Sequence, residues 1–365
     1  MNKHEKFIKR TFELALKGIG NVSPNPLVGA VIVKDDKIVG EGYHEKYGGN
    51  HAEVNAINNS GIDNFSDCTI YINLEPCSHY GKTPPCADLL IEKKFKRVVI
   101  SNIDPNPLVS GTGIEKLKNA GIEVITDICK EEGEYLNRFF FKNQIDKRAY
   151  SLAKIAQSLD GCTALNSGES KWITNEASRK ITHTLRSQLD SILVGKKTAQ
   201  LDNPQLTTRL IEGKNPKKIA LDSNLNLPLD LKIFKDDDRV NTIVVCSTNS
   251  ATSRKADILR LGGIKILGVE LVDNGLLNLE QALHKLYVDY NISSVLIEGG
   301  STVHSYLLDN NLIDELHIFT APIVLGNCKK SFHKVSTNNI QSAKSFKLKK
   351  VELLDDDIYS IYINK

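Results

Sequence analysis

A chain of 365 residues with 41% hydrophobic and 25% charged content and a net charge of +3 exceeds one ordinary domain, is too apolar for disorder and is not basic enough to argue for nucleic acid. No run approaches the roughly 18 apolar residues of a membrane span, and the N-terminus lacks an apolar leader. Seven cysteines, at 68, 77, 86, 129, 162, 246 and 328, form an odd, scattered set unlike a secreted disulfide framework, which points to a reducing, cytosolic setting.

Along residues 3–19, Ile8, Phe12, Ala15, Leu16 and Ile19 fall at helical spacing and predict an amphipathic helix packed on a sheet. Strands are then expected at 28–33, 69–72, 97–101 and 122–125, with helices at 51–58, 86–93 and 111–120 between them. Such alternation predicts an α/β sandwich with a mixed sheet. The charged stretch 130–147 reads as helical, and Asp146-Lys147-Arg148 marks a boundary between a domain of residues 1–146 and one of 147–365.

Within the first domain, His51-Ala52-Glu53 precedes Pro76-Cys77, and Cys86 follows after eight intervening residues. One imidazole and two thiolates leave a fourth tetrahedral position of zinc open, where a structural site fills it with protein. Glu53 supplies a carboxylate that binds no metal. The pattern H-x-E followed by P-C-x-x-C marks zinc deaminases of nucleobases, in which that Glu is the general acid and base; here the second half is stretched. On this reading His51, Cys77 and Cys86 are metal ligands, Glu53 is catalytic, and two helix N-termini converge on the metal and favour the thiolate state. The competing reading of a purely structural zinc site has Cys68 as a fourth ligand, but Cys68 directly precedes an apolar strand and suits a core position.

The second domain shows strand candidates at 150–156, 191–194, 218–221, 242–246, 294–297 and 315–319, and a loop-rich stretch at 329–347. No G-x-G-x-x-G fingerprint follows a strand, so a Rossmann reading has no support. Val295-Leu296-Ile297 instead runs into Gly299-Gly300 and a helix beginning near Ser301. Bare backbone amides at a helix N-terminus hold phosphate, which suits NADPH.

Taken with Pro24-Asn25-Pro26-Leu27-Val28-Gly29, Asp104-Pro105-Asn106-Pro107, the Cys77–Cys86 insertion, and in the second half residues 154–172, Arg186, Gly195 to Thr198, residues 202–209, Leu221-Asp222-Ser223 and Glu298-Gly299-Gly300-Ser301, the chain resembles the bifunctional deaminase/reductase family of riboflavin biosynthesis over its whole length. The resemblance implies a cytidine-deaminase-like α/β/α domain followed by a dihydrofolate-reductase-like α/β domain. It implies zinc and NADPH as cofactors, a small phosphorylated pyrimidine as substrate, no nucleic-acid or membrane partner, and a homo-oligomer. Ala156, Trp172, Thr198, Asp202, Ser223 and Gly300 would contact NADPH; Ser170, Arg186, Leu206, Arg209 and Glu298 would hold the substrate, the two arginines on its phosphate. Lys154 and Asp202 are candidates for proton relay. In the deaminase domain, Asn25, His44, His79, Lys82 and Thr83 would line the pocket, with Asp104 and Asn106 near the ribose phosphate. Two positions depart from the pattern: Asn50 stands where the family has Pro, and Asn55 where a second His is common.

Two rivals predict different features. A nucleoside or tRNA deaminase with an unrelated C-terminal domain calls for basic patches and stacking aromatics, whereas the first 146 residues are net acidic with few aromatics near the motif. A zinc-stabilised binding module has no use for the free carboxylate of Glu53.

Overall fold

The computed structural model describes residues 2–80, 84–107, 109–235, 237–272, 275–333, 335 and 337–365, and its contacts divide the chain into two units that meet between Lys147 and Arg148. Lys82 and Thr83 lie outside the described residues.

The first unit is built on a five-stranded sheet of β1 (Gly29–Lys34), β2 (Lys37–Tyr43), β3 (Thr69–Leu74), β4 (Arg97–Asn102) and β5 (Glu123–Ile125), in the order β2-β1-β3-β4-β5. β1 runs antiparallel to both neighbours, and β3, β4 and β5 are mutually parallel. β1, β3 and β4 are buried almost throughout, as expected of strands covered on both faces. One face packs Val31, Val33, Tyr71 and Val99 against Phe7, Ile8 and Leu14 of the helix Lys3–Leu16, which Asn2 and Glu5 start with a capping box. The other face packs Ile32, Ile70, Ile72 and Ile100 against Ala52, Ala56, Leu90, Ile114 and Leu117, from the helices Ala52–Asn58, Cys86–Glu92 and Thr112–Asn119.

Two sequence expectations shift here. The first helix ends at Leu16, short of residue 19, and the stretch 130–147 is two helices, Lys130–Leu136 and Arg138–Asp146. They break at Asn137, whose side chain accepts from Leu27 N–H (2.8 Å) and donates to Leu27 C=O (2.9 Å). Propensity alone does not reveal a helix break made to serve a distant loop. β2 also escaped prediction because its two glycines, Gly40 and Gly42, interrupt the apolar pattern. Gly42 has a packing reason: a Cβ there would lie 2.3 Å from Ala56 N, so the bare backbone lets the helix Ala52–Asn58 lie directly on β2.

The second unit has a nine-stranded sheet of β6 (Tyr150–Ser158), β8 (Ser191–Gly195), β9 (Lys217–Leu221), β10 (Thr242–Ser247), β11 (Lys265–Val269), β12 (Ser294–Gly299), β13 (Glu315–Ala321), β15 (Phe346–Leu354) and β16 (Asp357–Asn364), ordered β11-β10-β9-β8-β12-β6-β13-β16-β15. The strands from β11 to β13 are parallel, and β16 and β15 add an antiparallel edge. Its core joins Ala153, Ile155, Leu193, Ile219, Val245 and Ile297 to Leu283, Leu286 and Leu307 from the helices Leu279–Tyr290 and Ser301–Asp309.

A separate two-stranded sheet pairs β7 (Cys162–Leu165) with β14 (Cys328–Lys330), and Cys162 is disulfide-bonded to Cys328 across 166 residues of sequence. One bridge is not a secreted framework. It is nevertheless a crosslink of which seven scattered cysteines gave no sign, because its partners meet only when two short strands pair.

Candidate metal centre and cofactor cavity

In the first unit, His51 is the N-cap of the helix Ala52–Asn58, Glu53 lies in that helix's first turn, Cys86 opens the helix Cys86–Glu92, and Cys77 sits on the loop after β3. His51 Nδ1 lies 3.3 Å from Cys86 Sγ and 3.5 Å from Cys77 Sγ, and the three donor atoms lie within 4.8 Å of one another. A nitrogen and a sulfur bound tetrahedrally to one zinc ion stand ~3.6 Å apart, given bonds of ~2.05 and ~2.3 Å, so the donor set fits zinc. The Cys86 N–H donates to Cys77 Sγ (3.3 Å), placing a helix N-terminus on that sulfur.

The electrostatics agree with the geometry. The Cys77 thiol is pulled down by its hydrogen bond with the Cys86 thiol and then by His51, while the Cys86 thiol is pushed up by that same hydrogen bond and by burial. The His51 imidazole is raised, chiefly by its hydrogen bond to Cys77. Glu53, 3% exposed, has its carboxyl raised by burial first and by the charge of Cys77 second.

His44 forms the next layer. It packs edge-on against His51 at 5.6 Å, and burial lowers its pKa. The neutral ring donates from Nδ1 to Asn50 C=O (2.9 Å), leaving Nε2 to accept from the Asn25 amide (3.1 Å). Asn50 thus contributes its backbone, and Asn55 donates to Tyr43 C=O (2.9 Å), tying the metal-bearing helix to β2. His79 is exposed, and Asp104 and Asn106 are half-buried.

In the second unit, a cavity of about 730 Å³ opens at the C-terminal ends of β6, β8, β9 and β12. Of the residues named from sequence, Lys154, Ala156, Ser170, Trp172, Thr198, Asp202, Ser223, Glu298 and Gly300 line it, whereas Arg186, Leu206 and Arg209 do not. Arg186 is instead committed to Glu298, with Nε and Nη2 each 2.6 Å from its two oxygens, and Nη1 donates to Thr207 C=O (2.9 Å). Leu206 is buried at positive φ. Arg209 is exposed, and its backbone N–H donates to His183 Nδ1 (3.0 Å).

Gly300 is the N-cap of the helix Ser301–Asp309. Both it (φ 65°) and Gly299 (φ 148°) adopt backbone that side chains rarely tolerate, and a Cβ on Gly300 would lie 3.4 Å from Thr198 Oγ1. Trp172 is 66% exposed with the Arg179 guanidinium 4.8 Å above its ring. Burial lowers the pKa of Lys154, opposed by Glu298.

Burial also holds His304, 5% exposed and donating from Nε2 to Ile297 C=O, down to about 4 from 6.5. Between those two values the unfolded chain takes up a proton that the folded chain refuses. Stability is therefore full above pH 6.5 and falls by up to about 3 kcal/mol as pH drops to 4. Urea titrations at pH 7 and 4.5 should show the midpoint falling with acid, and His304→Gln should reduce that dependence, the remainder belonging to His183, which burial likewise holds down to about 4.

The two units have separate counterparts among known proteins. Residues 1–102 match the cytidine and deoxycytidylate deaminase zinc-binding region, and residues 149–360 match the RibD C-terminal domain. The riboflavin biosynthesis protein RibD of Actinobacillus pleuropneumoniae is 41% identical over 98% of this chain and 94% of its own length. Acinetobacter baumannii RibD superimposes with a TM-score of 0.89 at 37% identity, covering 100% of this chain and 99% of that one. The Thermotoga maritima diaminohydroxyphosphoribosylaminopyrimidine deaminase/5-amino-6-(5-phosphoribosylamino)uracil reductase gives 0.86 at 39% identity, with the same coverage. Similarity that runs end to end, through the metal centre and the cavity alike, makes the chain a member of the bifunctional RibD family of riboflavin biosynthesis.

Proposed function

We propose that the chain catalyses two consecutive steps of riboflavin synthesis: hydrolysis of the 2-amino group of 2,5-diamino-6-ribosylamino-4(3H)-pyrimidinone 5′-phosphate, then reduction of the ribosyl chain of the product to ribityl with NADPH. The observation that carries the reading is a buried carboxylate, Glu53, two positions after His51, whose donor atom clusters with those of Cys77 and Cys86 as a metal site requires, on a chain whose other unit holds a cavity of about 730 Å³.

In the first step His51, Cys77 and Cys86 would hold zinc, which when bound would lower the pKa of a water toward neutrality. Glu53, whose carboxyl is raised by burial, would carry one proton of the water to the ring nitrogen and then the proton of the added hydroxyl to the amine, which leaves as ammonia. Neutral His44, fixed by Asn25 and Asn50, walls the pocket, and Asp104 and Asn106 face the ribose phosphate end.

In the second step NADPH, when bound, would supply hydride to C1′ of the ring-opened ribosylamine. The amides of Gly299 and Gly300 and the helix behind them would hold its phosphates, while Ala156, Trp172, Thr198, Asp202 and Ser223 would fix the rest of the cofactor. Ser170 and Glu298 orient the substrate. Arg186 acts through Glu298, leaving Arg209, the exposed arginine of the pair, for the substrate phosphate. Lys154, held below the ordinary lysine value, and Asp202 relay protons.

A phosphorylated intermediate is retained inside a cell, which supports a cytoplasmic site of action. The outermost strand β15 presents Leu348, Val351 and Leu353 to solvent, and such an exposed apolar edge supports a homo-oligomer. Ammonia release and NADPH oxidation followed together in the purified, zinc-loaded protein test the assignment. Ammonia should appear first and oxidation second; ammonia without oxidation removes the second step, and neither signal removes the substrate.

A further inference from the structure

Immediately after β3 comes Glu75, 4% exposed. Its carboxylate is met by four backbone N–H groups. Oε1 accepts from Gly113 (3.0 Å) and Ile114 (3.2 Å), and Oε2 from Asp104 (3.2 Å) and Gly111 (3.0 Å). Its own N–H donates to Asn102 C=O (2.9 Å). One side chain therefore ties together the ends of β3 and β4, the turn that follows β4, and the first turn of the helix Thr112–Asn119. The fit is close, because a Cβ on Gly113 would lie 2.4 Å from Pro76 O and 3.2 Å from Glu75 Oε1. Such donors satisfy the oxygens of a buried carboxylate.

What the carboxylate holds lies at the metal end of the unit. Asp104 Oδ1 accepts from Asn106 N–H (2.8 Å), closing a turn. The Asp104 carboxyl is raised to about 6 by burial first, and it also feels Glu75, His79 and Cys77. Across the same anchor, Thr112 Oγ1 lies 2.6 Å from Ser78 Oγ, one residue beyond the ligand Cys77.

We propose that Glu75 is a positioning residue of the deaminase site, bracing the Asp104–Asn106 turn beside the Cys77 loop so that the turn can grip the substrate. This rests on the reading of the unit as a deaminase whose Asp104 turn binds substrate. Glutamine at position 75 keeps the shape but turns an amide donor toward two of the four N–H groups, so one side of the brace must let go.

The test is steady-state deamination by the full, zinc-loaded chain. Glu75→Gln should raise KM about 10-fold with kcat within about two-fold, zinc content kept and the second step unchanged on supplied deaminated substrate. Glu75→Asp, which keeps the charge, should fall between Glu75→Gln and the parent. Adding Glu75→Gln to Asp104→Asn should cost little beyond Asp104→Asn alone, because both act through one turn. Loss of zinc from folded Glu75→Gln, a fall in kcat at constant KM, or additivity with Asp104→Asn overturns the proposal. If Glu75→Gln does not fold, Glu75→Asp decides by the same KM and kcat split. Absence of ammonia release by the parent chain removes the deaminase reading itself, an outcome distinct from normal kinetics in the Glu75 variants.

Discussion

Glu53→Gln is expected to lower ammonia release by about 10²–10⁴-fold while the protein keeps its zinc. The size of the effect follows from general acid–base chemistry, since both proton transfers pass through one carboxyl. Retention of zinc follows from the donor set, because the atoms that cluster come from His51, Cys77 and Cys86, and glutamine fills the buried volume of glutamate without altering them. NADPH oxidation by the same variant should stop when the diamino substrate is supplied and proceed normally when the deaminated compound is supplied. Metal analysis beside the rate is the deciding measurement: a variant that loses zinc would make Glu53 a ligand and remove it from proton transfer.

Glu298→Gln should destabilise the second unit by about 3–5 kcal/mol and abolish hydride transfer. Arg186 is 8% exposed, and its guanidinium meets both oxygens of Glu298 at 2.6 Å. Burial alone would raise the Glu298 carboxyl, but the Arg186 charge and hydrogen bonds prevail and hold it below its ordinary value. Cutting one member of such a pair strands the other charge away from water, which costs far more than the pair itself contributes. The third nitrogen holds Thr207 C=O (2.9 Å), so the damage spreads to the 202–209 run beside the cavity. Replacing both, with Arg186→Met and Glu298→Leu together, should recover most of the stability and none of the turnover, because the cavity still lacks its carboxylate. Urea unfolding of the two variants beside the parent checks this, and a cost below about 1 kcal/mol for Glu298→Gln would show that Arg186 finds other support.

The parts of this protein that sequence reveals are those whose chemistry is local. His51 and Glu53 share a helical turn, so their spacing carries their roles, and Gly299-Gly300 at a strand end announces a backbone that must bend where side chains cannot. Strands buried on both faces, such as β1 and β3, read as unbroken apolar runs. What stays hidden is pairing across distance. Arg186 and Glu298 are 112 positions apart, so each reads from sequence as a free charge for substrate. Glu75 looks like a surface acid until four amides converge on it. Asn137 breaks a helix for the sake of Leu27, and nothing near it in the sequence says so. The β15–β16 hairpin went unpredicted because an edge strand with one exposed face has no strong apolar pattern.

The place of β6 in the larger sheet has a consequence for how the protein is made. β6 is the first strand of its unit to leave the ribosome, yet its two neighbours are β12 and β13, with Tyr150 paired to Ser294 and Leu152 to Glu315. At translation rates of about 5–20 residues per second, roughly 10–30 s pass before both partners exist. During that interval the first unit, whose own strands are complete by residue 125, can fold. An apolar strand meanwhile waits with both edges open. The most aggregation-exposed stage of synthesis therefore belongs to the second unit, and a lesion in residues 315–321 should deplete NADPH-dependent activity from cells through lost nascent chains before it alters the chemistry of any chain that folds.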